Sequence, residues 1–245
     1  MNPLSTSITG ACTIVVLLLS GFVVPSKPQA QPWQGNVELG YMMSTGNTES
    51  RTLNARLEVA RETPQWLHRL QYETKYSHET DEGTTAQRFL VSGRTNYRLD
   101  ERNAIYGLAL YENDRFSGYN YQVTLSTGYN RRIIDTDRTE WSAEIGPGFR
   151  YSNFREEGRS SEEEPILHMG TLFLHRFTPT IAFEEELTVD SGDEFTIIRS
   201  LSSFRVTLTD NLSLRLSFMI RHLTDVPEDT ENTDTETFLS LAYGF

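Results

Sequence analysis

Apolar and polar side chains alternate with period two along most of the chain from residue 36 onward, and no stretch keeps a helical rhythm beyond a turn or two. The first run sets Val37, Leu39, Tyr41 and Met43 against Asn36, Glu38 and Gly40. Leu53, Ala55, Leu57 and Val59 make the second, and Leu70, Tyr72, Thr74 and Tyr76 the third. The fourth carries Phe89, Val91, Thr95, Tyr97 and Leu99, and the fifth Tyr106, Leu108 and Leu110. Val123 to Tyr129, Trp141 to Tyr151 and Leu167 to Phe177 continue the series. The ninth run, Ile181 to Val189, has Glu185 on its apolar face, and the tenth is clear only at Phe204, Val206 and Leu208. Leu212 to Ile220 and Thr237 to Phe245 complete twelve candidate strands, with ten or fourteen still open because the ninth and tenth are weakly patterned.

Alternation alone does not say which face meets water. Strands of soluble proteins usually run about 5–6 residues, whereas a tilted crossing of a bilayer takes about 9–11, and several runs here are of the longer kind. Short connections, such as Glu62–Gln65 and Thr178–Thr180, alternate with longer polar ones, such as Glu112–Asn120, Asp190–Glu194 and Leu223–Asp234. That is the loop pattern of a transmembrane barrel with short periplasmic turns and longer outer loops. Trp33, Trp66 and Trp141 fall near the first strand or a short turn with the parity of the apolar face, and Phe245 closes the last strand. These four residues are expected to form an interfacial girdle. The fold class expected is all-β: a single transmembrane antiparallel up-and-down β-barrel of about twelve strands, over residues 31–245.

Several segments carry a resemblance. Trp33-Gln-Gly-Asn-Val-Glu-Leu-Gly-Tyr41 with Ser44-Thr-Gly-Asn-Thr-Glu49, Tyr111-Glu-Asn-Asp-Arg-Phe-Ser-Gly118, Gly146-Pro-Gly148, Leu208-Thr-Asp-Asn-Leu-Ser-Leu214 and the stretch from Thr233 to Phe245 resemble a family of salt-induced outer-membrane proteins, a domain of unknown function. The resemblance implies an outer-membrane barrel of Gram-negative type. It implies no reaction, ligand or catalytic residue.

Composition adds a leader and a sign. Ala11–Val24 is a fourteen-residue apolar run followed by Pro25 to Ala30, too short for an anchor and suited to a signal peptide over residues 1–30. Residues 1–10 carry no Lys or Arg, so an uncleaved anchor stays open as the alternative. The one cysteine, Cys12, lies in that run. The formal net charge of -12 disfavours nucleic acid as a partner. Four outer loops, residues 78–84, 154–164, 190–194 and 223–234, hold sixteen acidic residues against two Arg. Such a rim repels anions and is expected to meet outer-membrane lipid headgroups through divalent cations, although no spacing of a dedicated metal site is present.

Gly-x-Ser-x-Gly and His-Glu-x-x-His are both lacking, so no catalytic residue and no cofactor is assigned. The rival reading is a lipid hydrolase using His168 or His222 with a serine; ordinary strand-end histidines are the plainer expectation. The inward face is the richer constellation. By parity it holds Arg56, Arg69, Arg88, Arg94, Arg98, Arg150, Arg205, Arg215 and Arg221 with Glu58, Glu73, Glu144, Glu184, Glu186 and Glu236. Arginine holds carboxylates through a planar fork and keeps its charge when partly dried. Two functions follow: a charged path for small hydrophilic solutes, porin-like, or a structural envelope barrel whose lumen is plugged by ion pairs, related to salt stress only through the family label.

Overall fold

The computed structural model describes residues 33–44, 50–79, 83–115, 119–155, 160–225 and 232–245. The proposed leader, and with it Cys12, lies outside the described residues. Twelve strands follow one another: β1 (Gln34–Ser44), β2 (Ser50–Glu62), β3 (Trp66–Glu79), β4 (Gly83–Arg98), β5 (Asn103–Asp114), β6 (Tyr119–Asp135), β7 (Thr139–Phe154), β8 (Glu162–Arg176), β9 (Ile181–Gly192), β10 (Thr196–Thr207), β11 (Leu212–Leu223) and β12 (Thr233–Gly244). Each pairs antiparallel with its neighbours in sequence, and β1 closes on β12 with Val37 opposite Tyr243 and Gly40 opposite Ser240. The result is a closed up-and-down barrel of twelve strands, with no free edge.

The apolar face points outward. Leu39, Leu70, Leu125, Ile145, Leu216 and Leu241 are all exposed on the outer wall, while the buried side chains of the barrel are largely polar. That inversion is what a lipid-facing wall requires, since hydrocarbon offers polar groups no partner. The fifth strand reverses the expected face. Ile105 and Tyr111 lie outside, whereas Tyr106, Leu108 and Leu110 pair with Asn96, Arg94 and Ser92 and share their inward side. Both faces of this strand are apolar, so alternation could not choose between them; the register with β4 does.

Both barrel ends are marked by side chains. The short turns are held by one repeated device, in which a Thr hydroxyl accepts the N–H three residues on: Thr63 from Trp66 at 2.9 Å, Thr136 from Thr139 at 2.9 Å, Thr178 from Ile181 at 3.0 Å and Thr209 from Leu212 at 3.1 Å. In the fifth short turn Asp100 takes this place, accepting from the N–H of Asn103 at 2.9 Å. Its carboxyl is held below the usual range, chiefly by the Asn103 side chain and then by the Arg102 N–H. Trp33, Trp66 and Trp141 stand at this end, exposed on the outer wall, and the Phe245 ring lies over Gly35, where a Cβ would meet it at 2.2 Å. Toward the long loops a second aromatic row runs across four strands, Phe89 on Tyr111, Tyr111 on Tyr121 and Tyr121 on Tyr151, with centroids 5.6–5.8 Å apart. On β4, Tyr97 and Phe89 mark the two levels, eight residues apart; at about 3.3 Å per residue and a tilt of about 40°, the band between them is roughly 20 Å tall, close to a membrane's apolar height.

One seam is tighter than the rest. Gly146-Pro147-Gly148 on β7 faces Gly128 on β6, and a Cβ on Gly146 would stand 2.0 Å from the Thr127 carbonyl oxygen. Pro147 has no N–H to give the ladder, so only glycines let the two backbones close around it.

Candidate functional site

The inward residues gather into a charge network that crosses the lumen. Arg94 (β4) reaches Glu144 (β7) through its two terminal guanidinium nitrogens, and Asn130 donates to the same carboxylate at 3.0 Å. Glu144 also meets His168 Nε2 at 3.1 Å, and His168 Nδ1 meets Asp190 at 2.6 Å. Asp190 accepts from Arg199 at 3.0 Å, and Arg199 donates through its other nitrogen to Glu112 at 3.0 Å. Arg221 lies 3.7 Å from the other oxygen of Glu112. The chain of contacts therefore runs Arg94, Glu144, His168, Asp190, Arg199, Glu112, Arg221.

Its span fixes the shape of the bore. Glu112 is on β5 and Arg221 on β11, six strands away around a ring of twelve. Twelve strands about 4.8 Å apart and tilted about 40° make a circular barrel roughly 24 Å across. An arginine reaches about 7 Å from its Cα and a glutamate about 5 Å, so a bonded pair spans only about 15 Å. The barrel is therefore oval, drawn in between β5 and the β10–β11 wall. Three further groups of ion pairs stiffen the rest of the lumen. Arg215 holds Glu38 at 2.7 Å and Glu184 at 3.2 Å; Lys75 and Arg88 share Glu236 at 3.1 and 3.4 Å; Arg56 and Arg69 hold Glu73 and Glu58 at 3.2 and 3.4 Å.

Toward the long loops the lumen closes further. Arg150 is fully buried, donating to Glu164 at 2.6 Å with its guanidinium carbon 3.7 Å above the Phe195 ring. Phe195 packs in a buried apolar cluster with Tyr119, Phe154, Ile197 and Leu223. A register shift between Tyr119 and Tyr121 accompanies the inward turn of Tyr119, as an extra residue in one strand flips the face that follows. On the other side of the network a cavity of about 620 Å³ reaches the short-turn end, where Arg132, Glu140 and Arg176 line it. A far smaller cavity of about 50 Å³ lies between Arg56, Glu73, Arg88 and Glu236.

All fifteen charges singled out from the sequence take the inward parity. Arg56, Arg69, Arg88, Arg94, Arg150, Arg215, Arg221, Glu58, Glu73, Glu144, Glu184 and Glu236 are in the ion pairs above, Arg205 and Glu186 line the larger cavity, and Arg98 sits at the short-turn rim, bound to Glu62 and to the Thr63 carbonyl at 3.0 Å. The central carboxylates depart from the sequence expectation. The pattern puts Glu112 and Asp190 in loops and Glu164 in an acidic outer rim; all three are buried in the lumen and paired to arginine or histidine. Their signal is phase: Glu112 continues the step of Tyr106, Leu108 and Leu110, and Asp190 that of Glu184 and Glu186. His168 is no strand-end histidine either, since it is 1% exposed and both ring nitrogens meet carboxylates. His222 bonds Thr233 at 2.8 Å. Neither ring has a serine as hydrogen-bond partner among the described residues. Glu156, Glu157, Glu228, Asp229 and Glu231 of the acidic loops lie outside the described residues, and no group of three His, Cys, Asp or Glu placed to hold a metal occurs within them.

Comparison with known proteins adds the family. The model of the family described as "Protein of unknown function, DUF481" matches residues 37–245. The chain belongs to the DUF481 family. A relative, the "Uncharacterized protein YdiY" of Escherichia coli (strain K12), is 27% identical over 229 residues, covering 91% of this chain and 88% of its own. Among solved structures, the NanC porin aligns with a TM-score of 0.51 at 11% identity, over 86% of this chain and 97% of that one. The COG4313 outer membrane channel from Pseudomonas putida F1 aligns at 0.50 and 11% identity, over 91% and 100%. At such identity the likeness is one of fold: this DUF481 chain is a barrel of the outer-membrane porin type.

Proposed function

We propose that the protein is a narrow porin-like channel for small hydrophilic solutes, exported by a cleaved leader and seated in the outer membrane with its short turns on the periplasmic side. The observation that carries this is the cavity of about 620 Å³, which reaches the short turns, is lined by charged and amide side chains among several leucines, and meets the charge network at Arg94, Glu144 and His168. A dedicated structural plug has no use for such a vestibule, whereas a channel closed by side chains, at the ion-pair network and at the Arg150–Phe195 cluster beyond it, does. The first of these restrictions is built from ion pairs, so its strength depends on charge and it can part without moving a strand. The likeness to a porin and to an outer-membrane channel agrees with this reading. So does the engagement of both His168 nitrogens by carboxylates, which leaves that ring no hydroxyl to activate. The protein is on this reading not an enzyme.

Liposome swelling tests the proposal. Vesicles carrying the refolded barrel should swell in isotonic solutions of free amino acids or monosaccharides and not in those of a hexasaccharide. Vesicles that swell in none of them, with barrel folding verified by heat-modifiable gel migration, would leave the plugged structural barrel as the better account.

A further inference from the structure

The charges that line the vestibule are nearly all spoken for. Arg69 is paired with Glu58, Arg94 with Glu144, Arg132 with Asp135, Arg176 with Glu140 and Glu184 with Arg215. His168 lies between Glu144 and Asp190. Two residues of this wall stand apart. Arg205 and Glu186 both line the cavity, and neither makes an ion pair or a hydrogen bond with any described residue. One cation and one anion on the same wall thus lack a direct partner there, with Arg56 and Arg69 near enough to Glu186 to favour its charge without bonding it.

Their spacing is set by the register of β9 on β10. Arg205 is opposite Ala182 and Glu186 is opposite Leu201, a separation of four residues, or roughly 13 Å along the sheet. Side chains of about 7 and 5 Å can narrow that gap, yet the two groups do not meet. By register Ser203 and the Arg215-bound Glu184 lie between them, while across the bore and beyond Glu186 the lining carries Gln71, Asn96, Asn130 and Thr188, which can give and take hydrogen bonds. An anion alone would satisfy Arg205 and leave Glu186 facing it; a cation alone would do the reverse.

We infer that the vestibule binds an extended zwitterion of the short-peptide class, its carboxylate on Arg205, its ammonium on Glu186 and its amides on the polar side chains facing them across the bore. This deepens the reading of the lumen as a solute path and rests on it for its purpose, but binding can be measured without any flux. The guanidinium supplies the flat two-pronged donor that a terminal carboxylate takes, and the Glu186 carboxylate accepts from a terminal ammonium.

Isothermal titration of the detergent-solubilised full-length barrel tests it with three probes that share the triglycine backbone: triglycine, N-acetyl-triglycine and triglycine amide. Triglycine should bind about tenfold more tightly than either singly charged form, because it makes one more charge-assisted hydrogen bond than they do. Arg205→Gln should lower triglycine to the level of the amide and leave the amide unchanged; Glu186→Gln should do the same against the acetylated form. Equal binding of the three probes, no binding of any, or wild-type affinities in both variants would overturn the inference. Should a variant fail to show heat-modifiable migration, the probe series on the wild type decides alone. Triglycine binding without solute flux would sink the channel and leave this site standing, and flux without a preference for the zwitterion would do the opposite.

Discussion

Replacing Glu112 by Gln removes one charge at the point where opposite walls of the barrel meet. The glutamine keeps the size of the side chain but turns a donor toward two guanidinium groups. Arg199 retains Asp190 at 3.0 Å, so its loss is partial. Among the described residues Arg221 then keeps only Asp234 at 4.0 Å, a residue whose side chain is 62% exposed, while its own is 7% exposed. Breaking a buried ion pair from one side costs about 3–5 kcal/mol, and the surviving contacts put this change near the lower end, at about 3 kcal/mol. At 1.4 kcal/mol per decade, that shifts the ratio of bridged to parted lumen by roughly a hundredfold. Two arginines then face the opening without their carboxylate, so the current that appears should favour anions. The assay is planar-bilayer recording of Glu112→Gln beside wild type, with urea unfolding in vesicles as the stability readout. Higher open probability, anion preference and a lowered unfolding midpoint are expected together. A variant with wild-type conductance and wild-type stability would refute the claim that Glu112 bridges the walls.

Three other outcomes follow from the same structure. Glu185 sits midway along the lipid-facing residues of β9, accepting from Ser200 at 2.6 Å and from Ser202, so Glu185→Leu should raise stability in vesicles by about 1–2 kcal/mol; a loss would contradict its lipid-facing position. Gly146→Ala, which drives a Cβ into the Thr127 carbonyl, should cost about 2–3 kcal/mol or more, whereas Gly93→Ala, whose nearest neighbour is Leu70 Cδ2 at 3.5 Å, should stay within about 0.5 kcal/mol by the same unfolding assay. His168→Ala leaves Glu144 and Asp190 without their shared donor and should destabilise the barrel by about 2–4 kcal/mol, and an unchanged midpoint would show that the ring does not tie β7 to β9.

Twelve strands as the leading count, and the outward face of most of them, were legible because lipid on one side and a polar lumen on the other impose opposite demands on alternate residues, while β9 and β10 stayed weakly patterned and left ten or fourteen open. Where that contrast fades, so does the signal. β5 has Ile105 and Tyr111 on one face and Tyr106, Leu108 and Leu110 on the other, and only pairing with Arg94 and Ser92 decides which is inside. Glu112, Glu164 and Asp190 resemble loop acids because acidic residues crowd the ends of their strands, and polarity alone does not separate a strand end from a loop. The ion-pair partners were beyond reach for another reason. Parity places Arg94 and Glu144 in one lumen, but their contact depends on how far the barrel is flattened, which is set by packing across the bore. The turn threonines and the second aromatic row were present as residues, and lacked only the register that lines them up.

On the channel reading proposed above, solutes move through a lumen whose selectivity is set by these charges, with Arg94 facing Glu144 beside the vestibule. The most direct measurement is the zero-current potential of the wild type and of Arg94→Glu in a planar bilayer under a potassium chloride gradient. Discrete wild-type steps, and a shift of the potential toward cation selectivity in the variant, are the predicted result, because lumen charges set local ion concentrations. Electrical silence of both folded proteins, or steps with an identical potential, would contradict it.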